Sequence, residues 1–166
     1  FFMGITMQNH GGYTETYDNF PENYYKVGRS YTDANQYLSL VHESDEAVKN
    51  LISYFSKVDD PVEIIFFGDH QPSLNSNFYP ILNGKGLTGL TEDELEKLYT
   101  VPFFIWTNYD TPEETVDITS LDYLSTMALE RAGIELPAYN KFLADMQEVV
   151  PAINSRGYYS KSKGCY

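Results

Sequence analysis

An apolar run that ends abruptly in two polar residues lies near the middle of this chain: IIFFGDHQP, residues 64–72. Four consecutive apolar residues favour a strand covered on both faces, the pattern of central strands in parallel sheets. Gly68 permits close approach of the backbone, and Pro72 favours a turn. Adjacent side chains alternate in a straight strand, so Asp69 and His70 can face one ligand only because the chain turns there.

The other apolar segments alternate between strand and helix patterns. The strands are predicted at 1–7, 62–70 and 100–108, and the helices at 30–58, 91–99, 117–134 and 136–151. The tail, 153–166, is predicted to form a hairpin or an edge strand. This alternation predicts an α/β fold, with a mostly parallel sheet flanked by helices, in a single domain over residues 1–166.

Capping residues mark two of the predicted helix ends. Thr91 and Glu94 are spaced as a capping box at the start of one helix, in which each side chain satisfies a free backbone N–H group. Gly133 stands where a left-handed glycine ends another helix.

Composition excludes some classes of function. With 166 residues, 42% of them apolar, the chain can bury a core. Its formal net charge of -13 argues against a nucleic-acid partner, because backbone phosphates would be repelled. The single cysteine, Cys165, allows neither an internal disulfide nor a cysteine-based metal site. No apolar run reaches the roughly 18 residues that a membrane span needs.

A second polar end follows the apolar run FFMGITMQNH, which stops at His10. In open parallel sheets, ligands bind beyond the carboxyl ends of strands. If the first two predicted strands are neighbours, His10, Asp69 and His70 converge on one edge. A carboxylate and an imidazole suit Mn²⁺, Zn²⁺ or Mg²⁺. From the residues alone, the interpretation as metal ligands is the less favoured one, because an aspartate often caps a turn and a histidine often merely forms a hydrogen bond.

Three segments together resemble a known family. TMQNHGGY (6–13), YLSLVHESDEAVKNLISYF (37–55, with an acid at Asp45) and IIFFGDHQP follow the order of the motifs in the lipoteichoic acid synthase family. These enzymes are phosphoglycerol transferases of the sulfatase and alkaline phosphatase superfamily. The resemblance extends over nearly the whole chain, since VPFFIWTN and the helix at 117–134 are similar to the elements that follow in sulfatase-like enzymes. It implies an alkaline phosphatase-like α/β fold.

The resemblance also implies an activity and a site. Such enzymes work at the extracytoplasmic face of the bacterial cell membrane. They move glycerol phosphate from a phosphatidylglycerol-type lipid, through a phospho-enzyme, to a glycerol phosphate polymer, a glycolipid or a periplasmic glucan. By match of motif, Asp69 and His70 would be metal ligands, with Mn²⁺ expected and Zn²⁺ or Mg²⁺ as alternatives. His10 would bind the phosphoryl group of the substrate or protonate the leaving group.

The chain departs from the family pattern in two ways. Gly12 stands where the family has proline. The nucleophilic threonine and an acidic metal ligand of the family lie upstream of the Asn-His motif, and none of Thr6, Thr14 and Thr16 can be assigned as the nucleophile. The resemblance therefore predicts the C-terminal portion of a catalytic domain. Such a portion would be inactive without the N-terminal half as its partner, and its metal site would be half built.

Two other functions stay open. The same fold could carry a sulfatase, phosphatase or phosphodiesterase that transfers its group to water. Alternatively, the chain could be a non-catalytic module that binds a glycan or a partner through tyrosines around the His10 loop. These are the tyrosines at positions 13, 17, 24, 25 and 31.

Overall fold

The computed structural model describes residues 1–13, 17–20 and 31–162. Two compact units are present: one comprises Phe1–Lys57 and Gly68–Pro102, and the other comprises Val58–Phe67 and Phe103–Tyr166. The prediction of a single domain over residues 1–166 stays a prediction.

Helices build the first unit, and helices together with the short antiparallel strands build the second. The helices are α1 (Thr32–Phe55), α2 (Tyr79–Asn83), α3 (Glu92–Glu96), α4 (Leu121–Arg131) and α5 (Ala138–Val149). The strands are β1 (Glu63–Phe67), β2 (Phe103–Thr107), β3 (Ala152–Ile153) and β4 (Tyr158–Tyr159). The four predicted helices, the two inner predicted strands and the tail hairpin are confirmed. The helices and inner strands have shorter ends than the sequence predicted, and the hairpin begins at Ala152, one residue earlier than predicted.

The main strand pair runs antiparallel, so the prediction of a mostly parallel sheet is wrong for the described residues. Phe67 lies opposite Phe103, and Glu63 lies opposite Thr107. The intervening residues 68–102 therefore leave and rejoin the ladder at one end, whereas a parallel pair needs a crossover to the opposite end. The continuous apolar pattern of β1 indicates burial and carries no information about strand direction. The α/β class itself is confirmed.

The segment 1–7, predicted as a strand, is not one. Within the described ranges no residue pairs with it, and its apolar side chains are exposed, among them Phe2 and Ile5. A strand needs a neighbour for its N–H and C=O groups, and an apolar composition alone does not supply one.

The first unit is organised around the start of α1. Asp33 accepts hydrogen bonds from two backbone N–H groups, through Oδ1 from Ala34 at 2.9 Å and through Oδ2 from Asn75 at 2.5 Å. These contacts tie the first turn of α1 to the loop that follows Pro72. In the same unit, the predicted capping box of Thr91 and Glu94 is confirmed at the start of α3.

The second unit has its core between α4 and α5. Tyr123 and Leu124 of α4 are buried with Leu143 of α5, and the Tyr123 hydroxyl donates to the carbonyl of Val150 at 2.8 Å. Gly133, with a φ of 67°, ends α4 as predicted, because a side chain at this φ would be strained.

Asn108, directly after β2, holds the segment that leads into β1. Its Nδ2 donates to the carbonyls of Val58 and Asp60, each at 2.9 Å, and its Oδ1 accepts from the N–H of Val62 at 2.7 Å. The backbone N–H of Asn108 also donates to the Val62 carbonyl at 3.1 Å. These hydrogen bonds hold the segment 58–62 against Asn108 and so fix the position at which β1 begins.

Candidate metal and phosphoryl site

Gly68 ends β1 for a packing reason. Its N–H donates to the carbonyl of Pro102 at 3.2 Å, and a Cβ placed on it would lie 3.1 Å from the Cβ of Val101. That separation is tighter than nine in ten real Cβ contacts, so the neighbour would have to give by a few tenths of an ångström. A side chain at position 68 would therefore crowd Val101 in the segment that precedes β2.

The next two residues interact through a local turn. Asp69 Oδ1 accepts from the backbone N–H of His70 at 2.9 Å. The Nδ1 atom of His70 lies 2.9 Å from the carbonyl oxygen of Gln71. A carbonyl can only accept, so Nδ1 must carry the hydrogen, and in the neutral imidazole Nε2 then presents its lone pair.

That lone pair lies near a carboxylate oxygen. His70 Nε2 and Asp69 Oδ2 are 3.7 Å apart, and the side chains are 66% and 82% exposed. Two ligands with bonds of 2.0–2.2 Å to one ion are separated by at most about 4.4 Å, so both atoms can bind the same divalent cation. The residues present therefore fit the predicted metal, while their role as ligands stays a prediction.

The pair does not complete a metal site on its own. In residues 1–13, 17–20 and 31–162, no group of three or more histidine, cysteine, aspartate or glutamate side chains is arranged to hold an ion. Gln71 steadies the pair from its other side, since its Nε2 donates to the carbonyl of Thr100. The described chain thus offers two candidate ligands, and the predicted ion would need further ligands from elsewhere.

His10 occupies a separate, well-held loop in the same unit. Its N–H donates to the carbonyl of Met7 at 3.1 Å, which closes a turn, and its side chain is exposed. Gly12 has a φ of 105°, whereas proline is restricted to a φ of about -65°. The departure from the family's proline therefore changes the backbone path after His10.

Asn9, which the sequence analysis assigned no role, and Tyr13, which it counted among the possible binding tyrosines, hold this loop in place. Asn9 Nδ2 donates to Ser44 Oγ of α1 at 3.0 Å, and the Tyr13 hydroxyl donates to the Asn9 carbonyl at 2.7 Å. Both residues stand within three positions of His10 in the motif TMQNHGGY, which was the available signal. Ser44, 34 positions beyond His10 in the middle of a helix, gave no signal in the sequence.

The proposed tyrosine platform is not supported by the tyrosines that the structure describes. Tyr13 is buried, with 6% exposure, and Tyr31 packs against Phe78 with ring centroids 5.5 Å apart. Tyr17 alone of the three is exposed. The tyrosines at positions 24 and 25 lie outside the described residues, as do Thr14, Thr16 and Cys165.

The convergence of His10 with Asp69 and His70 stays a prediction. All three belong to one compact unit, but within the described chain no hydrogen bond or ion pair joins His10 to the other two. The argument for convergence relied on neighbouring strands, and segment 1–7 is not a strand.

The second unit contains an open cleft of about 650 Å³ that includes none of the predicted site residues. Arg131 lines this cleft and donates hydrogen bonds to Thr111 Oγ1 at 2.8 Å and to the carbonyl of Pro112 at 3.0 Å. Burial raises the pKa of the neighbouring Glu63 carboxyl, and the Tyr109 hydroxyl donates to it at 3.5 Å. This cleft shows polar wall contacts and no arrangement of ligands for phosphoryl chemistry.

Comparison with known proteins defines the class. The Sulfatase family model matches residues 1–134, and the chain belongs to the Sulfatase family. The fold is similar to that of the Streptococcus pyogenes phosphoglycerol transferase GacH, solved in complex with sn-glycerol-1-phosphate. The TM-score is 0.67 at 18% identity, over 91% of this chain and 37% of that one. The predicted membership of the sulfatase superfamily, and the fold that it implied, are thereby confirmed.

Two curated relatives come from Rhizobium meliloti. A putative cyclic beta-1,2-glucan modification protein is 29% identical over 156 residues, which is 89% of this chain. The capsular polysaccharide biosynthesis protein RkpI is 37% identical over 76 residues, which is 46% of this chain. The chain spans 24% of the length of the first and 12% of the second. No helix among the described residues is long and apolar enough to cross a membrane.

Proposed function

We propose that this chain is part of the catalytic domain of a metal-dependent phosphoglycerol transferase. The observation that carries the proposal is the pair formed by Asp69 Oδ2 and His70 Nε2, 3.7 Å apart, with His70 Nδ1 engaged by the Gln71 carbonyl. A second hydrogen bond that orients a ligating histidine is the usual companion of a metal site. Mn²⁺ is the ion that the family motif favours, and Zn²⁺ or Mg²⁺ also suits an oxygen and a nitrogen ligand.

Each site residue has a distinct task in this reaction. A bound divalent ion would supply positive charge against the negative charge that develops on the phosphoryl oxygens. Asp69 and His70 would hold that ion. His10, exposed on its loop, would donate a hydrogen bond to a phosphoryl oxygen or a proton to the leaving oxygen. The remaining ligands and the nucleophile would come from a part of the catalytic domain that precedes these motifs.

The donor we propose is a phosphatidylglycerol-type lipid, used at the extracytoplasmic face of a bacterial membrane. Support comes from the family motifs and from the neighbour with the same fold, whose structure contains sn-glycerol-1-phosphate. The acceptor we favour is a glycan hydroxyl, because the names of both relatives refer to a glucan or a polysaccharide. A glycerol phosphate polymer of the lipoteichoic acid type and a glycolipid are the other acceptors that the motifs imply.

Hydrolysis of the same phosphodiester is the second candidate, and the match to the Sulfatase family favours it. The two reactions share the metal and the phosphoryl contacts, and differ only in whether water or a hydroxyl of the acceptor receives the group. One assay can therefore separate them.

The test uses the whole protein that contains this chain. Vesicles of phosphatidylglycerol labelled in the headgroup glycerol are mixed with a cyclic beta-glucan and Mn²⁺, and label is followed in the glucan and in free glycerol phosphate. We expect transfer to the glucan, its loss on chelation with EDTA, and its recovery with Mn²⁺. Asp69→Asn and His70→Gln should each lower the rate by about a hundredfold or more, since each removes a metal ligand.

Two features make the variants informative. Asn at position 69 can still accept the hydrogen bond from the His70 N–H group, so the turn is kept and only the charge is lost. Asp59→Asn, at an exposed aspartate, is the matched control and should retain full activity.

Each remaining outcome has its own meaning. Label released only as free glycerol phosphate, with or without glucan, indicates a hydrolase. Unchanged turnover in Asp69→Asn and His70→Gln contradicts the metal role of this pair. No turnover on either route, with the fold intact, favours the non-catalytic binding module.

A further inference from the structure

The peptide group that joins Asn9 to His10 is held at both of its polar ends. Its N–H, which belongs to His10, donates to the carbonyl of Met7 at 3.1 Å. Its carbonyl, which belongs to Asn9, accepts from the Tyr13 hydroxyl at 2.7 Å. The orientation of this plane sets the direction in which the His10 side chain leaves the backbone. A plane with both polar ends engaged cannot rotate without breaking one of these bonds.

The same loop is fastened to the middle of α1. The Ser44 hydroxyl accepts from Asn9 Nδ2 at 3.0 Å and lies 3.2 Å from Asn9 Oδ1, to which it donates. The neighbouring Gln8 donates from Nε2 to the Leu40 carbonyl at 3.3 Å, one turn earlier on the helix. These contacts join residues more than thirty positions apart, so α1 acts as a fixed support for the loop.

The residues that support the loop, Tyr13 and Asn9, are more buried than His10. Tyr13 is 6% exposed, and its ring meets that of Tyr37 edge-to-face with centroids 5.4 Å apart. Asn9 is half-buried, while His10 is exposed. Burial, with a smaller effect of Tyr37, raises the pKa of Tyr13, so its hydroxyl keeps the proton that it donates to the Asn9 carbonyl. The arrangement presents an exposed histidine from a fixed base.

We propose that Tyr13 and Ser44 are positioning residues that aim His10 at the phosphoryl group of the substrate. This inference rests on the function proposed above. His10 is followed by Gly11 and Gly12, which allow the backbone unusual freedom, and a histidine beside them needs external constraints to keep one direction. A group fixed in advance does not lose conformational freedom at the moment of reaction, and a misplacement of about 1 Å can cost a hundredfold in rate.

The test uses Tyr13→Phe and Ser44→Ala in the whole protein. Phenylalanine keeps the ring packed on Tyr37 and removes only the hydroxyl donor, and alanine removes only the hydroxyl from α1. Tyr54→Phe and Ser53→Ala are the matched controls, because both residues lie exposed further along α1. Three measurements are made: kcat and KM for phosphoglycerol transfer, the same constants in a His10→Ala background, and hydrogen–deuterium exchange of the peptide over 7–13.

We expect Tyr13→Phe to lower kcat by about ten- to a hundredfold, with KM changed by less than about twofold. Ser44→Ala should act in the same direction and more weakly. In the His10→Ala background, Tyr13→Phe should change kcat by less than about twofold, because a residue that acts through His10 has nothing left to position. Exchange over 7–13 should be faster in both variants and unchanged in the controls.

Three results would overturn the inference. Exchange that does not change in Tyr13→Phe shows that the hydroxyl does not hold the loop. Faster exchange with unaltered kcat shows that the holding is purely structural. An equal loss of kcat with and without His10 shows that Tyr13 acts by another route. If His10→Ala alone leaves activity intact, or the wild type has none, the proposed function fails. The exchange measurement still reports separately on whether Tyr13 and Ser44 hold the loop.

Discussion

Replacing Asn108 with alanine should cost the chain about 2–3 kcal/mol of folding free energy. The side chain makes three hydrogen bonds, two as donor to the carbonyls of Val58 and Asp60 and one as acceptor from the N–H of Val62. Each is worth about 0.5–1.5 kcal/mol net, and water can reach the exposed end of this loop and replace part of the loss. The middle of the resulting range gives the expected value.

Aspartate at the same position is the sharper test. One carboxylate oxygen can still accept from the Val62 N–H. The other takes the place of the Nδ2 donor and faces the carbonyl oxygens of Val58 and Asp60, which repel it. Asn108→Asp should therefore be at least as destabilising as Asn108→Ala at pH 7. The carbonyls disfavour the charged form and raise the pKa of the new carboxyl. A raised pKa in the folded state means that the penalty shrinks as the pH falls and the carboxyl becomes a donor again.

Urea unfolding measures both effects. The single tryptophan, Trp106, lies in β2 two positions before Asn108 and provides the fluorescence signal. Each variant is compared with wild type at pH 7 and near pH 4, so that general effects of acid cancel. Asn50→Ala, at an exposed site on α1, is the control and should change the free energy of unfolding by less than about 0.5 kcal/mol. The reasoning is refuted if Asn108→Asp is milder than Asn108→Ala at pH 7, because the donor at Nδ2 would then be irrelevant.

Two further predictions follow from the first unit. Gly68→Ala should destabilise the fold by about 1–3 kcal/mol, because its Cβ would lie 3.1 Å from the Cβ of Val101. In urea unfolding, the double variant with Val101→Gly should recover part of this loss. If the free-energy changes of the two single variants simply add in the double variant, the two side chains do not collide. Hydrogen bonding to Lys85 is the main cause that lowers the pKa of Glu94 to about 2, and the ammonium lies 2.7 Å from its Oε2. A depressed folded-state pKa contributes stability above the ordinary glutamate value of 4.5, and this contribution is lost as the pH falls towards about 2. Lys85→Met should therefore raise the NMR titration midpoint of Glu94 and reduce this pH dependence, of which the hydrogen bonds with Thr91 retain a part; an unmoved midpoint would count against the pair.

Local patterns were reliable wherever the controlling contacts are close in sequence. The helical period located α1, and the Thr91–Glu94 spacing located the start of α3, because the hydrogen bonds of a helix and its caps join residues three or four positions apart. The motif IIFFGDHQP likewise located Asp69 and His70 at the turn after a strand. Because the two residues are adjacent in the chain, the atoms that could bind a metal, Asp69 Oδ2 and His70 Nε2, already lie near each other.

Patterns failed where a partner lies far along the chain. Segment 1–7 has a strand-like composition, but within the described chain no neighbour pairs with it. The tautomer of His70 was also beyond the sequence, since it depends on how the backbone after the histidine turns its carbonyl toward Nδ1.

The sequence by itself determined helices α1, α3, α4 and α5, the two inner strands, the sulfatase-like motifs and the candidate residues His10, Asp69 and His70. Only the tertiary structure decided that β1 and β2 run antiparallel, that Val101 packs closely against Gly68, and that Tyr13 and Ser44 hold the His10 loop. The physical reason is the distance along the chain over which each interaction acts. Propensity, periodicity and capping act over a few residues, whereas strand direction, close packing and the support of an exposed histidine depend on the path by which distant segments meet.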